Sequence, residues 1–450
     1  DALRVLTFLQ VVQEPDGHWP QNMWLDGTPY WNGVQMDECA FPILLVDLAL
    51  RSGALEISDI GRFWPMVRRA AEFIVRNGPV TGQDRWEEDG GFSPFTLAVE
   101  VAALLAAADL ADMQAHSQCA TFLRETADDW NAQIEWWTYA TDSELARRLG
   151  IDGYYVRISP PEIADAASPT HGFVPIKNRP PGETCQSASA IVSPDALALV
   201  RFGLRAPDDP RIVNTVKAID ALLKVDLPSG PCWRRYNGDG YGEHADGSPF
   251  DGTGIGRAWP LLTGERAHFE LAAGRLKEAK ELLRALETFS SNGSMIPEQV
   301  WDGPDIPERE LFCGKPSGSA MPLVWAHAEH IKLRRSLADG QVFDTPPQPV
   351  KRYQIDKVQP RWRGWRENNK CERLKAGLDL RLELREPSVV HWSVDGWTTA
   401  RDNETWDSGL GIHICDLSTA DLQADQRIVF TFFRLIGQQW AGIDYEVTVA

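Results

Sequence analysis

Two acidic stretches hold the residue types best suited to chemistry. The first is Arg85-Trp86-Glu87-Glu88-Asp89-Gly90-Gly91-Phe92, which runs into an apolar helix expected from about Phe95 to Leu110. A carboxyl beside an indole at the mouth of a helical core is poorly solvated. Poor solvation raises its pKa and keeps it protonated near neutrality, as a general acid requires. The opposing reading is a solvated acidic turn that starts a helix, because Asp and Glu favour helix N-termini. The second stretch is Met295-Ile296-Pro297-Glu298-Gln299-Val300-Trp301-Asp302, just after the turn Ser291-Asn292-Gly293. It again sets a Glu among apolar and aromatic neighbours. Two environment-tuned carboxyls are what cleavage of a glycosidic bond needs: one protonates the leaving oxygen, the other activates water or attacks the sugar. Together the stretches favour catalysis over structure. Inversion and retention both stay open here, since the outcome depends on their separation in space.

Elements able to position these groups follow from periodicity. Apolar residues at three- and four-residue spacing predict helices at about 2–13, 36–52, 61–77, 94–113, 115–149, 194–204, 210–224, 255–273, 275–290 and 317–337. Pairing them gives αα-hairpins of a helical toroid. Residues 31–37, 86–88, 235–241 and 298–302 all fall in or beside inter-helix loops, and alternate loops of a toroid gather at one end. A long loop, 150–193, carries Pro160, Pro161, Pro169, Pro175, Pro180 and Pro181; loops of such length are often functional. Pro-rich residues 341–350 then break the helical pattern. Beyond about 365 the period becomes two, as in Leu378-Asp379-Leu380-Arg381-Leu382-Glu383-Leu384 and Arg427-Ile428-Val429-Phe430-Thr431-Phe432-Phe433. These predict strands of a small β-sandwich. The expected division is a toroid over 1–340, a linker over 341–365 and a β domain over 366–450. Trp392, Trp397, Trp406 and Trp440 of that domain bind glucan if exposed; a structural cap on the toroid is the other reading.

Composition narrows the function. The 450 residues suit two or three ordinary domains or one large toroid with a small module. A net charge of −19 opposes nucleic acid and anionic membranes as partners, whereas neutral polymers remain compatible. No run of about 18 apolar residues is apparent, so no membrane span is expected. Eighteen Trp residues are many for this length and fit stacking on sugar rings as well as core packing. Seven scattered cysteines include no C-x-x-C pair, so neither a cysteine zinc site nor a disulfide framework is implied. His18, His171, His244 and His268 lack ligand spacing. Asn237-Gly238-Asp239-Gly240 has no Glu at the twelfth loop position of a calcium site.

Several further residues carry two readings each. Trp31 and Trp86 are stacking platforms or core. Gln35 and Asp37 bind sugar or cap the helix that follows them. Glu88 binds sugar hydroxyls or serves as a structural charge. Arg235, before a Gly-rich turn, offers a fork of donors for sugar hydroxyls or lies on the surface, and Asp239 binds or turns the chain.

Four motifs in order resemble the inverting α-glucosidases of glycoside hydrolase family fifteen, the glucoamylase and glucodextranase family, over roughly residues 2 to 345. Trp86-Glu87-Glu88 resembles its general-acid motif, in which the first Glu is the acid. Pro297-Glu298-Gln299 resembles its base motif. Arg235-Tyr236-Asn237-Gly238-Asp239-Gly240-Tyr241 resembles the segment that holds the non-reducing glucose, and Trp31-Asn32-Gly33-Val34-Gln35-Met36-Asp37 resembles the loop lining the pocket. The resemblance implies an (α/α)6 toroid of twelve helices, Glu87 as general acid and Glu298 as general base, and Trp31, Gln35, Asp37, Trp86, Glu88, Arg235, Tyr236 and Asp239 as substrate contacts, with neither metal nor cofactor. It implies release of β-glucose from non-reducing ends of α-glucans; an α-1,6-specific glucodextranase, or a trehalase, is the alternative within the family. A non-catalytic glucan-binding subunit is the alternative from another class. About ten helices are counted, so the first is expected to be missing. In the family, a further helix and a Trp-x-Arg-Asp loop precede the point where this sequence starts, and a β-sandwich commonly precedes them in bacterial members. We therefore expect a separate N-terminal fragment of the same precursor to complete the site.

Overall fold

Helices dominate the first 340 residues of the computed structural model, which describes residues 1–31, 33–161 and 172–450. Asn32, Pro169 and His171 lie outside the described residues. The helices are α1 (Ala2–Val12), α2 (Met36–Arg51), α3 (Ile60–Asn77), α4 (Pro94–Met113), α5 (Ser117–Thr138), α6 (Glu144–Leu149), α7 (Ala198–Arg201), α8 (Pro210–Leu223), α9 (Pro260–Ala272), α10 (Leu276–Thr288) and α11 (Val324–Asp339). Helix α4 packs on α2, α3 and α5, and α9 packs on α10 and α11, which gives the curved wall of hairpins expected of a toroid.

Local sequence explains the helix ends. Pro occupies the first helical position of α4, α8 and α9, where its missing N–H costs nothing and its fixed φ suits the helix. Ser93 and Asp209 cap α4 and α8 by accepting backbone N–H bonds. Four expected helices are shorter in the structure; the stretch 194–204 keeps only Ala198–Arg201 as α-helix, after a 3₁₀ turn at Pro194–Leu197. The stretch 115–149 divides because Tyr139–Thr141, rich in strand formers, pairs with Gly153–Tyr155. The stretch 255–273 begins only at Pro260, since Ala258–Trp259 is a strand beside Gly230–Arg234. The stretch 317–337 begins at Val324, beyond Gly318 and Pro322.

Helix α4 is apolar on all sides, with Ala98, Ala102, Ala103, Ala106 and Ala107 fully buried. It is long and apolar enough to cross a membrane, contrary to the expectation that no such run exists, yet 94% of its apolar window lies buried inside the fold. A helix apolar all round belongs at a core centre, and its small side chains let its neighbours approach closely.

Beyond the toroid lie two β-sheets. One has the order Trp362–Arg366, Asp379–Leu384, His413–Leu417, Trp406–Asp407. The other runs Arg373–Leu374, Tyr445–Val449, Arg427–Arg434, Ser388–Ser393, Arg401–Glu404, with Gln439–Trp440 paired to Arg427–Arg434. Their inner faces share a core of Trp365, Leu380, Leu382, Leu384, Trp392 and Phe430, among others. The period-two pattern has a second consequence. Between Leu380 and Leu384, Arg381 and Glu383 point to the other face yet are buried too, because that face packs on the toroid. There Arg381 pairs with Glu125 (2.5 Å) and Arg363 with Asp129 (3.1 Å). Leu410, Ile412 and Ile414 join the toroid's own hydrophobic cluster. Residues 341–365, expected to join the two parts, are themselves packed: Arg352 grips Asp128 through two bonds (2.6 and 2.5 Å), and Tyr353 is buried.

Candidate active site

The loop between α3 and α4 is closed by reciprocal backbone bonds between Thr81 and Gly91 and anchored by Phe92 to Ser159. Asp84 organises its turn: one carboxylate oxygen accepts the N–H groups of Trp86 (3.2 Å) and Glu88 (3.1 Å). Glu87 adopts the left-handed conformation, φ 64°, at the tip, and the chain around it sends adjacent side chains in opposite senses. Glu88 turns inward and is buried, whereas Glu87 is exposed. This corrects the expectation of a poorly solvated Glu87: the desolvated carboxyl beside the indole is Glu88. Non-glycine residues in that conformation store strain and cluster at functional sites.

Glu88 belongs to a buried network of charges. It accepts from Arg235 (2.9 Å), Arg157 (3.0 Å) and the Tyr236 hydroxyl. Arg157, fully buried, also binds Asp84 (2.6 Å) and Asp89 (2.9 Å) and stacks over Tyr236. Arg235 forks onto Asp239 with two bonds of 2.8 Å. Burial pushes the Glu88 carboxyl above its ordinary range, against the pull of Arg235 and Arg157. Five of the expected contacts, Trp86, Glu88, Arg235, Tyr236 and Asp239, thus meet in one place, but Glu88, Arg235, Tyr236 and Asp239 bond chiefly to one another and to Arg157, with Trp86 beneath Arg235. Among the described residues, Nη1 of Arg235 carries no hydrogen bond.

Trp86 is packed rather than offered as a platform. It is buried, its indole N–H donates to Asp195 (2.9 Å), and its ring meets Trp259 edge-on at 5.2 Å. Arg85 and Arg235 both lie over it, at 4.6 and 5.2 Å. Trp31 fits the platform reading: it is exposed, on the short strand Pro29–Trp31 paired with Asn22–Met23. Gly33 holds this hairpin close to the acid loop, since a Cβ there would strike Gln83 and Trp31. Gln83 in turn donates to the Glu87 carbonyl (3.2 Å).

Glu298 follows the turn and coil that lead out of α10, and its N–H donates to the Ala320 carbonyl (2.8 Å). Gln299 fixes the next position by donating to the Tyr241 carbonyl (3.0 Å). The Glu298 side chain is only 9% exposed, and its Oε1 is buried without a hydrogen-bond partner among the described residues. Burial raises its pKa; a hydrogen bond from the Tyr241 hydroxyl and the charge of Arg235 oppose that rise, and Glu243 and Glu87 add to it. Glu298 therefore feels the charge of Glu87 across the loop cluster. Burial and Glu298 together push the Tyr241 hydroxyl up to about 12, so it remains a donor throughout the neutral range.

Glu87 also borders a cavity of about 750 Å³ between α2, α9 and α11, whose wall includes Gln35, Asp37, Glu38 and Trp325 but not Glu298. Asp37 is buried and accepts from Thr96 (3.2 Å), and burial lifts it to about 6. Glu38 is lifted to about 9, by burial and then by Asp37 and Glu87, and its Oε2 has no partner among the described residues. Gln35 takes the N-cap position of α2 without a side-chain capping bond. Arg85 closes the floor with Glu265 (2.7 Å) and Asp195 (2.7 Å). Among the described residues no cluster of His, Cys, Asp or Glu could hold a metal ion.

Sequence reasoning missed Tyr241, Arg157, Glu38, and Trp259 and Trp325, whose rings both meet Trp86. Tyr241 closes the quoted Arg235–Tyr241 motif, so its place was legible. Arg157 sits in a loop whose partner in space no spacing rule reveals.

Arg235 and Glu87 both act on the charge of Glu298, which ties the network and the acidic loop to the candidate base. The sequence profile described as "Glycosyl hydrolases family 15" matches residues 18–335. The chain is 42% identical, over 353 residues, to a glucoamylase of Clostridium sp. (strain G0005), a match covering 78% of this chain and 46% of the relative. It is 24% identical over 336 residues to an uncharacterized glycosyl hydrolase of Methanocaldococcus jannaschii, covering 72% of this chain and 45% of the relative. A crystal structure of a bacterial glucoamylase complexed with acarbose superposes with a TM-score of 0.69 at 40% identity, covering 78% of this chain and 48% of that one. The chain thus spans about half the length of the relatives it matches, and shares their helical toroid. On the profile and the identity together, this chain belongs to glycosyl hydrolases family 15.

Proposed function

We propose that the chain is the catalytic part of an exo-acting, inverting glycoside hydrolase that releases glucose from non-reducing ends of α-glucans or α-gluco-oligosaccharides, in the manner of a glucoamylase. The observation that carries this reading is that Glu87 lies near enough for its charge to act on Glu298; exposure leaves Glu87 without the desolvation expected of an acid, so its role rests on the resemblance of Trp86-Glu87-Glu88 to the family's acid motif. Glu87 stands exposed at a strained tip, and Glu298 is buried with a free oxygen beside Tyr241. Glu87 delivers its proton to the glycosidic oxygen as the bond to C1 breaks. Glu298 takes a proton from water as the water oxygen bonds to C1 from the opposite face, which inverts the anomer to β-glucose. Glucose and a shortened chain result, with Glu87 ionised and Glu298 protonated. Exposure lets Glu87 regain its proton from solvent between turnovers. Trp31 offers a stacking face, and Arg235 Nη1 a donor, for the terminal sugar. Likeness to two glucoamylases supports the glucoamylase reading over a glucodextranase or a trehalase.

The cavity beside Glu87 is walled largely by apolar helix faces, with Phe41 and Trp325 still exposed, and also holds Glu38, whose Oε2 has no partner among the described residues.

The experiment is a comparison of glucose release from maltotriose, isomaltotriose and trehalose by the full-length protein and its Glu87→Gln variant. Loss of about 10²–10⁴ in rate is expected, the usual contribution of a positioned proton donor. Release that survives the substitution would refute the assignment of the acid, and binding without any release would favour a non-catalytic glucan-binding subunit.

A further inference from the structure

The outer faces of the two C-terminal sheets differ in kind. The four-stranded sheet is covered by the toroid through Arg381 and Arg363. The other sheet turns its outer face away, and the rule for such a face is polar residues. Here the alternation along Ser388–Ser393 and Arg427–Arg434 puts Val389, His391, Thr431 and Phe433 outward, all half-buried. Strand pairing sets Trp440 beside Phe433, and Asp402 beside His391.

These residues make a continuous aromatic surface. Trp397 stacks on the His391 ring at 5.2 Å and 12°. Trp440 meets His391 at 6.2 Å and Phe433 at 5.5 Å, yet is 52% exposed. Polar groups line it: Asp402 lies 2.7 Å from His391 Nδ1, and Thr431, Glu404 and Gln439 share the same strands. The turn bearing Trp397 is held rigid. Its N–H donates to Ser393 Oγ (3.0 Å), while Asp395 accepts from the N–H (2.9 Å) and hydroxyl (2.6 Å) of Thr399. Trp397 itself is left-handed, φ 68°.

We propose that this face is a second binding site, for a chain of α-linked glucose, with Trp397 and Trp440 stacking on pyranose rings. The proposal rests on the reading of the protein as an α-glucan hydrolase. A pyranose offers an apolar C–H face and a rim of hydroxyls, which flat rings edged by carboxylate, hydroxyl and amide groups complement. Asp395, Asp402 and Glu404 rim the surface, and the chain carries −19 overall. That charge opposes anionic lipid and nucleic acid but leaves a neutral polymer unaffected. A weak site on the polymer that also feeds the catalytic loops raises the local concentration of chain ends without any new contact there.

The test is native electrophoresis of the full-length protein through gels with and without amylopectin, beside a Trp397→Ala/Trp440→Ala variant. The wild type should be retarded, and the variant should bind amylopectin about tenfold more weakly, the effect of losing two stacking faces. Its rate on maltotriose, which is too short to need this surface, should be unchanged. Retardation of the variant equal to that of the wild type overturns the proposal, as does absence of retardation in the wild type. A second measurement avoids the alanine pair: oxidation of the exposed Trp440 and the half-buried Trp397 in the Glu87→Gln variant, mapped with and without maltoheptaose. Protection of Trp397 and Trp440 is expected; equal oxidation overturns the site. Retardation without glucose release from maltotriose would sink the hydrolase reading while leaving this surface standing.

Discussion

Tyr241 gives the sharpest test of how the candidate base is tuned. Its hydroxyl donates to Glu298 and so favours the ionised carboxylate, against the burial that raises it. Tyr241→Phe removes that donor and leaves the ring in contact with Phe250 (5.1 Å) and Trp259 (6.3 Å). A hydrogen bond to a charged group contributes about 1.5–3 kcal/mol, and one pKa unit corresponds to about 1.4 kcal/mol. The Glu298 pKa should therefore climb in proportion to the bond lost. A general base works only when ionised, so activity is lost as pH falls through that pKa, and the variant loses it at higher pH. The assay is kcat/KM for maltotriose across the acidic and neutral range: the acid limb should shift upward by that amount, while the rate far above it falls only modestly. Glu243 supplies the opposite control, since its charge also raises Glu298; Glu243→Gln should move the same limb downward. An acid limb that stays in place in both variants, or moves together in both, refutes Glu298 as the titrating base.

Other outcomes follow from the same geometry. Arg157→Met leaves Asp84, Glu88 and Asp89 buried without their shared cation; loss of about 3–5 kcal/mol of stability is expected in urea unfolding, as for a broken buried ion pair. Trp31→Ala should raise KM for maltotriose with little change in kcat, whereas Trp86→Ala, which removes a packed ring, should lower the melting temperature as well as the rate. Glu100 is fully buried with neither oxygen hydrogen-bonded among the described residues, and burial holds its pKa well above 4.5. The folded carboxyl stays protonated where the unfolded one ionises, so stability falls as pH rises above about 4.5. Glu100→Gln should remove that dependence, and melting curves at acidic and neutral pH should show its advantage growing with pH.

Much of this protein is written locally. Apolar spacing marked the helices, Pro at α4, α8 and α9 marked their starts, and the change to period two marked the sheets, because these signals depend on residues within a few positions. The two catalytic candidates were likewise legible as carboxyls between aromatic residues. What the sequence could not decide was which of two adjacent carboxyls is buried. That was settled by the left-handed turn at Glu87 and by Arg157 and Arg235, which reach Glu88 from 69 and 147 residues away. The same holds for Trp86 and Trp31, equal as sequence and opposite in exposure. Solvation is a property of everything that surrounds a group, and most of what surrounds these groups arrives from distant parts of the chain.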